Sequence, residues 1–176
     1  MFEEQGSAKL NFKSEAIALF KNSNYNWLTV CFTLQYATYS TLATVLGELI
    51  DPYGLGSDAA GIMGVTFIVS GVIGSMVFSA ILDRLRCYTL MMKILSGGTV
   101  LSGIAAFFTL PTGNLAILLP NIIALGLFII PIFSISYSFA VELTYPISEP
   151  MSNGIMVFFS QIFATSCSLG ATVLIK

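Results

Sequence analysis

Histidine is absent from this chain of 176 residues, tryptophan occurs once, and cysteine only three times. Charged side chains make up 9% of it, seven basic and nine acidic, against about 25% in soluble domains. Each shortage excludes something. Cys31 and Cys167 fall within apolar stretches and Cys87 stands beside Arg86. Three scattered thiols make neither a disulfide framework nor a zinc site and read as packing residues. Seven basic residues without a stripe argue against a nucleic-acid partner. No glycine-rich phosphate loop, nucleophile triad or paired carboxylates occurs, so no enzyme, cofactor or metal site is expected. The net charge of −2 says little about partners, because so few charges set it.

What the chain does have is apolar length. Five runs, at residues 27–50, 59–82, 91–110, 115–139 and 152–175, are each long enough to cross a bilayer. About 20 mostly apolar residues span a hydrocarbon core of about 30 Å. Lipid offers no partner for backbone amides, so such runs must be helices. The expected fold class is therefore all-α: a polytopic transmembrane bundle in the lipid bilayer, preceded by a lead-in at residues 1–26. That lead-in carries Glu3, Glu4 and Glu15 beside its lysines and has no signal-peptide pattern.

The basic residues fall on alternate connectors. Lys9, Lys13 and Lys21 precede the first run, and Arg84 and Arg86 follow the second, with Lys93 just inside the third. The connectors at 51–58 and 111–114 have no Lys or Arg. The positive-inside rule puts the N-terminus, the 83–88 turn and the 142–151 connector in the cytoplasm, leaving only Lys176 outside. Lys93 can bend its long stem back to the interface. Small residues suggest packing seams, at Gly64, Gly71, Ser75 and Ser79, at Gly98 and Ser102, and at Ser166 and Gly170. Pro120 and Pro131 should kink the fourth run and free carbonyls to line a cavity.

Five spans with the N-terminus inside end outside. Transporters are often built from six-helix halves made of three-helix inverted repeats, so an incomplete half, a fragment of a longer chain, is expected. Two polar constellations stand out against the apolar background. Ser79 to Arg86, S-A-I-L-D-R-L-R, ends the second run, and its Asp83-Arg84 pair suits a charged hinge between helix ends. Gln161, Tyr36 and Tyr39 all fall near mid-bilayer by their distance from the ends of their runs. Tyr36 and Tyr39 share one helical face. Structural hydrogen bonding in an apolar bundle is the plain alternative for these three.

Three strings carry a family resemblance. Ser79–Arg86 is similar to the G-x-x-x-D-R-x-x-R signature of the major facilitator superfamily, with Ser79 for the first glycine and Arg86 one position early. Phe139-Ala-Val-Glu142-Leu-Thr-Tyr145-Pro146-Ile-Ser-Glu149 resembles the F-A-V-E-L-T-Y-P-x-S-E string of the feline leukaemia virus subgroup C receptor (FLVCR) family. Leu19-Phe-Lys21-Asn22-Ser-Asn24-Tyr25 resembles that family's L-x-K-N-x-N-[FY] string before helix seven. The resemblance covers about residues 14 to 172 and implies helices seven to eleven of a major facilitator transporter, without its N-terminal six-helix half and without helix twelve.

It implies a gate in which Asp83, Arg84 and Glu142 act together, Arg84 pairing with Glu142. It also implies substrate contacts at Gln161 and at or near Tyr39, with Tyr36 on the same face. The implied substrate is choline or ethanolamine; haem export is the alternative, and a non-transporting membrane protein is the rival from another class. With no His and no ligand pattern among its thiols and tyrosines, this stretch offers haem no axial ligand. Aromatic faces suit a quaternary ammonium. Two positions depart from the family pattern: Ser138 stands where members carry an acid, and the helix-ten proline is displaced to Pro131. The membrane, plasma or organellar, is not legible in the sequence.

Overall fold

The computed structural model describes residues 13–53, 56–85 and 87–175; Lys9, Arg86 and Lys176 lie outside them. A short helix, α1 (residues 13–21), leads into five long ones: α2 (Ser23–Ile50), α3 (Ser57–Leu85), α4 (Tyr88–Thr109), α5 (Leu115–Thr144) and α6 (Glu149–Ile175). Among the described residues there is no strand. The helices cover the expected runs, save that Leu110 falls in the turn after α4, and extend past them, mostly by about a turn at the ends expected to be cytoplasmic. Residues 57–85, 88–112, 115–144 and 149–174 are long and apolar enough to cross a membrane. α2 is as long but more polar, with Thr33, Gln35, Tyr36, Thr38, Tyr39 and Thr41 in its middle, and is not among those four.

Short connectors make successive helices antiparallel. Asp51 donates its backbone N–H to Gly47, continuing α2 into a 3₁₀ turn over Asp51–Tyr53. A second such turn, Leu110–Thr112, follows α4. It ends at Gly113, whose φ of 59° is left-handed and favours glycine. A Cβ there would also lie 3.2 Å from the Tyr53 carbonyl oxygen, so the two connectors touch.

Two helix pairs run parallel. α3 lies against α5, with Phe67 and Ser70 meeting Gly126, Gly71 meeting Ile130 and Gly74 meeting Leu127 and Pro131. The offset is 59 residues at Phe67–Gly126 and at Gly71–Ile130 (126 − 67 = 130 − 71), as parallel helices require. The packing seam of α3 is therefore Ser70, Gly71 and Gly74. Gly64 has no neighbour within 4 Å of a Cβ, and Ser75 bonds back to the Gly71 carbonyl at 2.9 Å. α5 continues through both of its prolines. Pro131 has no N–H for the Leu127 carbonyl. That oxygen lies 2.7 Å from where a Gly74 Cβ would be, so it faces the close helix contact and not a cavity. Gly98 of α4 packs on the Phe128 ring, and Ser102 is buried near it.

The second parallel pair is α2 with α6. Tyr25 OH donates to the Ser152 carbonyl at 2.6 Å, Thr33 and Ser160 hydroxyls share a bond at 3.0 Å, and Thr41 and Ser168 share one at 3.4 Å. Each pair is 127 residues apart. Ser152, Met156, Ser160, Ala164 and Ser168 are buried in a strict four-residue rhythm, and from Ser160 on it is the small-xxx-small ridge that lets helices approach in lipid. Ser166 and Gly170 are exposed, and Ser166 bonds its own helix at Ile162. The expected seam on the fifth run is thus rotated: the ridge runs through 160, 164 and 168.

Candidate functional site

The family-like strings at residues 19–25 and 139–149 meet in space. Asn22 Oδ1 accepts from the backbone amides of Asn24 at 3.1 Å and Tyr25 at 3.3 Å, capping α2. Its Nδ2 donates to the Leu143 carbonyl at 2.9 Å. Asn26 Nδ2 closes the turn onto Phe20 O at 2.7 Å. Tyr25 is buried, and its bond to Ser152 reaches the first turn of α6. One corner, α1–α2, is therefore fastened to the other, α5–α6, through side chains of the first string and carbonyls of and beyond the second.

At the same end Asp83, Arg84 and Glu142 are all exposed. The α3–α5 offset of 59 at Gly71–Ile130 brings Arg84 level with residue 143, beside Glu142. Yet among the described residues no ion pair joins them. The structure places the three at one level without bringing the charges together.

Midway along the bundle, Gln161 Nε2 donates to Tyr36 OH at 2.7 Å. Tyr36 is about 20 Å along α2 from Ser23, and Gln161 about 18 Å along α6 from Glu149, near the middle of each helix at 1.5 Å per residue. Gln161 is exposed and Tyr36 half-buried, so the bond lies on a face that these helices leave open. Tyr39 is the next ring along α2, its centroid 6.2 Å from that of Tyr36. Phe133 of α5 fits between them, 5.6 Å from Tyr36 and 5.4 Å, edge-on, from Tyr39. Phe67 stacks on the far side of Tyr39 at 5.9 Å, and Phe32 on Tyr36 at 6.0 Å. Such offset and edge-on pairs hold the rings in place.

A cavity of about 300 Å³ opens beside this wall, lined by Tyr39, Leu42, Leu46, Ala60, Gly64 and Phe67 among others. Tyr39 belongs to it; Tyr36 and Gln161 do not. The three residues singled out in the sequence therefore form a polar pair and an aromatic edge of one continuous surface. Phe32, Phe67 and Phe133 were missed there. Only Phe32 had a signal, its four-residue spacing from Tyr36. Ser138, in the position of the family's acid, is exposed and bonds to Ser134 O at 3.3 Å.

Four long apolar helices on close-packed parallel pairs make this a multi-pass membrane protein. No protein-family model matches the chain. It is 31% identical over 157 residues, 87% of its length, to the choline/ethanolamine transporter FLVCR2 of Rattus norvegicus. The human protein of the same name is 31% identical over 149 residues, and FLVCR1 of Felis catus 31% over 160 residues. The chain belongs to the FLVCR family. It spans 28% of the length of each of these three relatives.

Proposed function

We propose that this chain carries half of the substrate path of a facilitative alternating-access transporter, and that the substrate is choline, ethanolamine or a close relative. α2 is read as a fifth span, with the N-terminus cytoplasmic. The observation that carries the reading is the Gln161–Tyr36 hydrogen bond set against the Tyr36–Phe133–Tyr39 aromatic wall, halfway along the helices. A hydroxyl or amine head needs one polar anchor, and a quaternary ammonium needs aromatic faces. The names printed for the relatives support the same substrate class.

Asp83, Arg84 and Glu142 are assigned to the cytoplasmic gate. Their separation here is consistent with a pair that closes in another conformation. The central stretches of the helices contain no Asp, Glu, Lys or Arg, where a proton-coupled carrier would place one. Transport is therefore assigned to the substrate's own gradient and the membrane potential.

The test is uptake of labelled choline with the N-terminal six-helix half and helix twelve supplied on the same polypeptide. Gln161→Ala removes one hydrogen bond and should weaken uptake about 2- to 10-fold. Tyr39→Leu removes one aromatic face, with a similar loss. Both are measured per correctly inserted molecule. Losses that track surface expression would mean that these residues only hold the bundle together. Accumulation driven by a pH gradient at fixed voltage would overturn the facilitative assignment.

A further inference from the structure

The transport reading leaves unused a second opening, a cleft of about 600 Å³ between α2 and α4, floored by α5. Its lining is graded along the helix axes. Asn24 is the second residue of α2, Thr89 lies in the first turn of α4, and Lys93 is one turn further on the same face. Trp27, Leu28, Met92 and Phe139 stand about level with Lys93, and Cys31 and Ser96 lie about one turn deeper. No acidic side chain lines the cleft, and among the described residues no ion pair involves Lys93. Cys87, at the N-cap of α4, makes no side-chain bond to the helix, so the positive end of the α4 dipole opens at the same level without a side-chain cap from it.

We propose that this cleft binds an anionic phospholipid, the phosphate on Lys93 and Thr89 and the start of an acyl chain against Leu28, Met92 and Phe139. Two independent features point to a lipid. One is the unpaired cation at the depth of a headgroup, about 8 Å along α4 from Tyr88. The other is the apolar lining beside it, Trp27, Leu28, Met92 and Phe139. A free phosphate would use the first and gain nothing from the second. Basic pockets between helices near the cytoplasmic surface recognise acidic headgroups in this way. Lys93 then has a ligand in its own cleft and need not bend away from it.

Trp27 is the chain's sole tryptophan and lines the cleft, so its emission reports on the occupant. The chain is reconstituted in phosphatidylcholine vesicles holding a minor fraction of acyl-brominated phosphatidylglycerol or, in parallel, of acyl-brominated phosphatidylcholine. The anionic lipid should quench Trp27 more strongly at equal mole fraction. Lys93→Gln should lower that preference about fivefold, and Lys93→Arg should keep it. Equal quenching by the two lipids in the unsubstituted chain overturns the proposal, as does a preference that survives Lys93→Gln. Displacement of the brominated lipid by inorganic phosphate would assign the site to the free anion and also overturn it. Should Lys93→Gln fail to insert, the comparison of the two lipids on the unsubstituted chain decides alone.

Discussion

Asn22 is the residue whose replacement tests the corner-to-corner fastening most sharply, because its two amide atoms do separate jobs. Oδ1 caps α2 and Nδ2 holds the Leu143 carbonyl. An N-cap of this kind contributes about 1 kcal/mol, and a half-buried neutral hydrogen bond about 0.5–1.5 kcal/mol. Asn22→Ala removes both and should destabilise the chain by about 2 kcal/mol. Asn22→Ser keeps a capping oxygen but cannot reach Leu143, and should lose about half as much. The assay is reversible unfolding in mixed micelles by increasing SDS fraction, read by Trp27 emission and far-ultraviolet circular dichroism. The expected order is Asn, then Ser, then Ala. A serine variant as stable as the parent would mean that the Leu143 bond contributes nothing. A serine variant no better than alanine would mean the same of the cap.

Gly74→Ala would put a Cβ 2.7 Å from Leu127 O and 3.2 Å from Pro131 Cγ, prising α3 from α5 at a cost of about 1–3 kcal/mol. Gly64→Ala meets nothing within 4 Å and should be neutral or mildly stabilising; equal effects in the same micelle unfolding assay would refute the observed seam. For the proposed gate, Arg84→Glu and Glu142→Arg should each lower uptake by the complete transporter, and the double reversal should recover part of the loss. Simple additivity of the two losses would count against direct coupling.

The fold was legible because it is written in length and charge. Five apolar runs between short connectors leave few arrangements, and each observed helix matches its run to within a few residues at either end. The packing faces were only half legible. A glycine at position 71 and one at position 64 look alike in the sequence, yet one meets Ile130 and the other borders a cavity. The face that a membrane helix turns inward depends on its partner, and every face is apolar. On α6 the serines at 160 and 168 are separated from Ser166 by less than two turns, so spacing alone could not choose the ridge. The candidate site, still a proposal, was marked in the sequence where polar residues interrupt an apolar helix, at Gln161, Tyr36 and Tyr39. Phe67 and Phe133 were not, because a phenylalanine in such a chain carries no mark of its role.

The polarity that keeps α2 out of the most apolar set is itself informative about where it sits. A helix with Thr33, Gln35, Tyr36 and Thr41 in its middle is costly in lipid unless those groups are paired. Each is paired with another helix: Thr33 with Ser160, Gln35 with Ser96 at 3.2 Å, Tyr36 with Gln161, and Thr41 with Ser168. Thr38 and Thr44 bond back to their own helix at Leu34 and Ser40. α2 is thus fitted to the interior of an assembly, with α6 and α4 supplying its partners. Of the bonds to other helices, the Thr33, Thr41 and Gln35 bonds join half-buried or buried hydroxyls and amides, whereas Gln161 at the Tyr36 bond is exposed. A hydrogen bond placed at mid-helix on an open face serves packing less than the others do. A ligand's hydroxyl or amine could exchange for it with no loss to the ridge beneath, which is the property a substrate contact in an alternating-access path requires.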